Sequence, residues 1–222
     1  MDSARRIQQF YRSIGVQGLA ERTDETKTSL ALKELRKLFS KQQKLLDVGC
    51  GYGRLTVPLA VEGYRVSGVD IADNFLRAAK RYAKEESAIV SFRKGDMRDL
   101  PYAESSFDGI FCFWSAFNEL LTRKDQLSAI RSMRRTLKPG GLAVIDLPDM
   151  RYPPPVFDIR KRTRLALDMS SGHVSYLHDA ATLKALMRDA GVERYKVSLR
   201  NFWGRKRLVL LFWNRSGRSR AP

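Results

Sequence analysis

Leu45-Leu46-Asp47-Val48-Gly49-Cys50-Gly51-Tyr52-Gly53-Arg54 reads as an apolar strand that ends on an acid and turns through three glycines into a helix. Glycines in such a turn allow positive φ and let the backbone approach a ligand closely. A GxGxG turn alone serves nucleotide sites and purely structural turns alike. Asp47 adds the discriminating detail: two residues before the first glycine, a carboxylate would repel a pyrophosphate and favour a cationic ligand group.

Outward from this turn, strand and helix patterns alternate, which predicts a parallel sheet covered on both faces. The first strand is Lys44 to Val48, and a helix follows from about Arg54 to Glu62, with Pro58 near its start, where a missing N–H costs least. Strand two is Tyr64 to Val69, and Asp73 is placed to cap the helix carrying Phe75, Leu76, Ala79 and Tyr82. Strands three and four are Ile89 to Arg93 and Phe107 to Phe113; Leu127, Ile130, Met133 and Leu137 mark the next helix, which should stop at Lys138-Pro139-Gly140-Gly141 before strand five, Leu142 to Leu147. Before the sheet, Ser3 to Ile14 and Asp24 to Phe39 have helical spacing.

Pro148 and Pro153-Pro154-Pro155 break the rhythm. The pattern resumes at Asp179, which can cap a helix with Leu183, Leu186 and Met187, and ends in two strands, Val192 to Leu199 and Arg207 to Trp213, expected to pair antiparallel. The organisation expected is one domain over 1–222: an N-terminal helical cap (1–40), a core (41–147), a lid or insertion (148–178), a final helix and strand pair (179–214) and a basic tail (215–222).

Two further acids follow strand ends: Asp70 in Gly68-Val69-Asp70-Ile71 and Asp96 in Gly95-Asp96-Met97. The first lies about twenty residues beyond the glycines, where ribose hydroxyls are commonly held in this kind of sheet; the second can accept a hydrogen bond from an adenine amino group. Separately, each acid reads equally well as a turn or capping residue. Taken together with Leu137-Lys138-Pro139-Gly140-Gly141, they make residues 44–147 resemble the class I S-adenosylmethionine-dependent methyltransferases. That resemblance implies an α/β, Rossmann-like seven-stranded sheet of order 3-2-1-4-5-7-6 with strand 7 antiparallel and helices on both faces. It also implies S-adenosylmethionine as cofactor, leaving as S-adenosylhomocysteine, held by Asp47, Gly49, Cys50, Gly51, Gly53, Asp70, Ile71, Asp96, Met97 and Phe113. A nicotinamide dehydrogenase, the main rival for the fold, would prefer Gly or Ala where Arg54 stands and no acid at Asp47.

Methyl transfer from a sulfonium is an in-line displacement from an activated donor, so a protein mainly aligns the acceptor and excludes water; a base is needed only where the acceptor must lose a proton. In the family the segment Phe113-Trp114-Ser115-Ala116-Phe117-Asn118-Glu119 borders the methionine moiety and the acceptor, which makes Ser115, Asn118 and Glu119 candidate positioning groups. His178, just before the late helix, is a separate candidate for a general base at the pocket. The alternative for Asn118 and Glu119 is the exposed start of the next helix. The segment contains neither the Asp/Asn-Pro-Pro-aromatic signature of enzymes that methylate base amines nor a Pro-Cys nucleophile. Cys112 reads as a core residue, and His173 and His178 have no ligand set around them, so no metal is expected.

With 41 Lys and Arg against 24 Asp and Glu, the formal charge is +17. Basic residues gather at Arg160-Lys161-Arg162-Thr163-Arg164, at Arg205-Lys206-Arg207, and at Arg215, Arg218 and Arg220. Such charge suits an anionic small-molecule acceptor, an RNA backbone with Phe202 and Trp203 stacking on bases, or simply a solvated surface. The expected partner is a small-molecule acceptor, with an RNA methyltransferase and a non-catalytic cofactor-binding scaffold as the alternatives. Two cysteines and an opening without an apolar stretch lead us to expect a cytoplasmic setting. Leu208 to Trp213, the longest apolar run, falls far short of the ~20 residues of a membrane span.

Overall fold

β1 (Lys44–Val48) runs through the middle of a seven-stranded sheet, paired in parallel with β2 (Arg65–Asp70) on one side and β4 (Phe107–Cys112) on the other. Its Leu45, Leu46 and Val48 are all buried, as a strand covered on both faces requires. Beyond β2 lies β3 (Ser91–Lys94), and beyond β4 lies β5 (Leu137–Pro148), both parallel. β10 (Arg205–Trp213) then inserts antiparallel between β5 and β9 (Tyr195–Phe202). The order β3-β2-β1-β4-β5-β10-β9 is the expected Rossmann-like one, the last two strands in sequence having exchanged places. This computed structural model describes residues 3–22, 25–114, 116–153, 157–160, 163–169, 171–202 and 205–215.

Alternate residues along the central strands feed two cores. Leu46, Ile110, Ile145 and Leu210 pack with Ile130 and Met133 of α5 (Arg123–Thr136) and with Leu183 and Leu186 of α6 (Ala180–Asp189). Their neighbours Leu45, Phe111, Val144 and Val209 face the other way, onto Leu32 and Leu35 of α2 (Glu25–Leu38) and Leu59 of α3 (Thr56–Val61). The period of two in the strands thus meets helices on both faces. α1 (Ser3–Glu21), kinked where Gly15 takes φ +63°, contacts α4 (Asp73–Glu85).

Some local expectations are corrected. Asp73 is no cap: the N-cap is Ala72, whose N–H is held by Asp70, while Asp73 lies in the first turn and pairs with Lys94 at 2.7 Å. The fifth strand begins at Leu137 rather than Leu142, because α5 ends at Thr136 and Leu137 is already extended, paired with Phe107 ahead of a register shift. Asp179 does cap α6, in a capping box closed by Thr182. Segment 148–178 carries a small antiparallel sheet of β6 (Phe157–Arg160), β7 (Leu165–Asp168) and β8 (Val174–Tyr176). Ser115, Lys161, Arg162, Trp203, Arg218 and Arg220 lie outside the described residues, as does the tail beyond Arg215. Among the described residues no helix is long and apolar enough to cross a membrane.

Candidate active site

The strand order reverses between β1 and β4, and a cleft opens at the carboxyl ends of these strands, the usual ligand site of such sheets. β1 delivers Asp47 to its floor, where the side chain is buried and accepts a 2.6 Å hydrogen bond from the Thr56 hydroxyl. Burial pushes this carboxyl up to about 7; the Thr56 bond and the Arg54 charge only partly offset it.

The glycine turn is stitched to the end of β2. Gly49 and Cys50 donate their N–H groups to Val69 O at 2.8 and 3.1 Å, and Gly51 donates to Asp70 Oδ2 at 2.8 Å. Asp70 Oδ1 accepts from Ala72 at the start of α4, at 2.9 Å. One carboxylate therefore fixes both the turn and the helix start, while each oxygen keeps a lone pair for a ligand hydroxyl. Burial raises its carboxyl, and the N–H groups of Ala72 and Gly51 pull it back. Gly49 sits at φ +75°, and a Cβ there would lie 2.5 Å from the Ala116 Cβ, so the position demands glycine twice over.

Cys50, Gly51, Ile71, Asp96, Met97 and Phe113 also line the cleft. The Asp96 carboxylate is gripped by the Arg98 guanidinium at 2.7 and 3.0 Å, and Arg98 is tied in turn to Asp125 at 2.9 Å. Burial raises both thiols, so neither Cys50 nor Cys112 is an activated nucleophile.

Several lining residues carry no motif. α1 contributes Ile7, Tyr11 and Leu19, and the end of β4 contributes Trp114, a bulky residue at φ +63°. The Trp114 N–H reaches Asp146 Oδ2 at 3.3 Å, and Asp146 is locked to Arg207 by two bonds of 2.7 and 2.8 Å. Glu119 completes the wall, from a 3₁₀ turn over Ala116–Glu119. Its Oε2 lies 2.6 Å from His173 Nε2, and its Oε1 accepts from the Tyr11 hydroxyl at 3.3 Å.

A methyltransferase-domain family model matches residues 45–141, from the first strand through the glycines before the last stretch of β5. A putative methyltransferase, YqeM, of Bacillus subtilis is 30% identical over 104 residues, 47% of this chain and 42% of that protein. A probable methyltransferase, ltbC, of Aspergillus luteorubrus is 33% identical over 162 residues, 68% of this chain and 55% of that protein. The structure of the 1,6-didemethyltoxoflavin-N1-methyltransferase of Burkholderia thailandensis, with its substrate and S-adenosylhomocysteine bound, superposes with a TM-score of 0.68 at 20% identity, covering 94% of this chain and 87% of that one. Residues 45–141 carry a methyltransferase domain, set on the class I Rossmann-like fold. The chain spans about half the length of the curated relatives it matches, and its likeness to the solved structure is one of fold.

In and around this methyltransferase domain three sequence expectations change. Gly53 does not line the cleft; at φ +86° it lets α3 pack closely, its notional Cβ 3.0 Å from Val57. Asn118 is fully buried and turned away from the cleft, donating its amide to Tyr176 O. His178 is not at the cleft either: wholly buried against Phe117 and Tyr176, it has no ring-nitrogen partner among the described residues, and desolvation lowers its pKa to about 3. A group so hard to protonate and so far from solvent does not serve as the base. Three of the basic positions are also engaged internally, since Arg164 pairs with Asp179, Arg207 with Asp146 and Arg215 with Glu193.

Proposed function

We propose that the protein transfers the methyl group of S-adenosylmethionine to a small-molecule acceptor held in the cleft beside Tyr11 and Glu119. The observation that carries this reading is Asp47, a buried carboxyl lifted to about 7 on the floor of a cleft whose other charged lining residues, among those described, are Asp70, Asp96, Glu119 and Arg54. Burying such a group is costly unless a cation joins it. The donor set fits the cofactor: Asp47 suits its ammonium, Asp70 its ribose hydroxyls, Asp96 its adenine amine, and Ile71 and Met97 the faces of its ring.

When bound, the cofactor supplies a methyl group already activated on sulfur. The chain's own contribution is then alignment and exclusion of water. Phe113 and Trp114 wall the cleft with apolar surface, and Tyr11 and Leu19 of α1 close it from the N-terminal side. The preponderance of acids in the lining favours a neutral or cationic acceptor over an anionic one. We further take α1, which lends Ile7, Tyr11 and Leu19 to the cleft, as the acceptor's cap.

Methyl-labelled S-adenosylmethionine incubated with the protein and a fractionated pool of metabolites and RNA tests the reading. We expect label in small molecules. Label in RNA alone, or in no fraction, would reject it.

A further inference from the structure

We infer that Glu119 is the catalytic proton acceptor for a phenolic or enolic hydroxyl, with His173 as its positioning residue. This rests on the cofactor reading above and adds the chemical class of the acceptor.

The carboxylate is built in from three sides. His173 Nε2 lies 2.6 Å from Oε2, the Tyr11 hydroxyl donates to Oε1 at 3.3 Å, and Arg6 Nη2 stands 3.8 Å from Oε2. Phe10 stacks on the His173 ring at 3.7 Å between centroids, which fixes its plane. α1, the 3₁₀ turn and the β7–β8 connection thus converge on one acid. Only 8% of its side-chain surface is exposed, and it lines the cleft.

A purely structural tie between these elements does not need that carboxylate. Arg6 already makes it through backbone carbonyls, donating to Glu119 O at 2.8 Å and to Val174 O at 3.0 Å. Nor does another group at this wall suit the task. Burial and the neighbouring Glu119 charge raise the Tyr11 phenol well above its usual value, so it stays protonated and serves as a donor that orients Oε1. His173 does not line the cleft and acts only through Glu119. Oε1, with its longer bond, keeps a lone pair for an incoming proton.

The class of acceptor follows from what a carboxylate can do. A neutral amine attacks an activated methyl without first losing a proton, whereas a hydroxyl gains from losing one as it attacks. Phenols and enols are acidic enough for a carboxylate to assist, and Phe113 and Trp114 offer apolar and aromatic wall for their planar bodies. In the step, the new oxygen–carbon bond forms as the carbon–sulfur bond breaks, the electron pair stays on sulfur, and the hydroxyl proton passes to Glu119 Oε1. His173 holds Oε2, and the proton returns to solvent after the product leaves.

The test uses the full chain, Glu119→Gln, Glu119→Asp and His173→Gln, with S-adenosylhomocysteine calorimetry beside turnover on catechol, 1-naphthol, aniline and 1-naphthylamine. We expect transfer to the hydroxyl compounds, a kcat at least about 100-fold lower for Glu119→Gln, and cofactor-product affinity within twofold of the parent. Glu119→Asp should recover part of the rate, and His173→Gln should move the acid limb of the pH profile. Glu119→Gln within threefold of the parent on hydroxyls, or a parent that binds the cofactor product yet methylates only amines or nothing in the panel, overturns the inference. A parent that fails to bind S-adenosylhomocysteine instead overturns the cofactor reading, and this inference with it.

Discussion

The Thr56 hydroxyl donates a 2.6 Å hydrogen bond to Asp47 Oδ2, yet burial still holds this carboxyl at about 7. Without a cationic ligand the group is therefore largely protonated below neutrality, and an ammonium brought against it would expel that proton. We expect S-adenosylhomocysteine to bind about tenfold more weakly at pH 6 than at pH 8, releasing close to one proton at the lower pH. Calorimetry in two buffers of different ionisation heat measures the release, and Asp47→Asn should abolish it. Buffer-independent heats in the parent would contradict the assignment.

His178 bears on acid stability. Its folded pKa, about 3, lies below its ordinary 6.5, so the unfolded chain binds the extra proton and stability falls as pH drops from 6.5 towards 3. Replacing it with Phe should flatten the dependence between pH 6.5 and 4.5 by about 1.4 kcal/mol per unit. Urea denaturation at a series of pH values gives both slopes; equal slopes would refute the point.

Asp146 and Arg207 form a two-bond pair with almost no exposed surface. Arg207→Met strands a buried carboxylate and should cost about 3–5 kcal/mol, whereas Asp146→Leu with Arg207→Met should recover most of it. The double variant also takes the Arg207 guanidinium from over the Trp114 ring, 5.8 Å from its centroid, so indole fluorescence at the cleft should change even where the denaturation midpoint recovers. A double variant as unstable as the single one would show that the pair contributes more than mutual neutralisation.

Gly49→Ala should harm both stability and binding, because the position combines φ +75° with a 2.5 Å approach to Ala116. We expect a loss of about 1–3 kcal/mol and at least tenfold weaker cofactor-product binding. Gly140→Ala is the control: it shares a positive φ, at +81°, but meets nothing within 4 Å and lies away from the cleft. Equal effects at the two positions would mean that crowding at Ala116 does not matter.

The glycine turn and the acids beside it were legible as one wall of the cleft because these parts are local. An acid at a strand end, glycines in the next turn and a second acid at the end of the neighbouring strand lie within about thirty residues, and the apolar runs between them specify the sheet. Glu119 was among the candidates, but its partners were not legible, because Tyr11 and His173 reach it across sequence separations of 108 and 54 residues. Tyr11 is visible in sequence only as part of an apolar helix face with Ile7. The sequence pointed to His178 as the base, yet of these two histidines, five positions apart, it is His173 that meets a carboxylate, while His178 is sealed between aromatic rings. The small sheet over 157–176 escaped because strands of three or four residues carry too short a period to detect.

Asp70 gives the most direct test of the cofactor site, since it holds Gly51 and Ala72 and still has lone pairs for ribose hydroxyls. Titrating S-adenosylhomocysteine into the parent chain by calorimetry should give one binding site, weakened at least about tenfold in a folded Asp70→Asn variant. A folded parent that gives no binding heat, or an Asp70→Asn variant that binds as tightly as the parent, would contradict it.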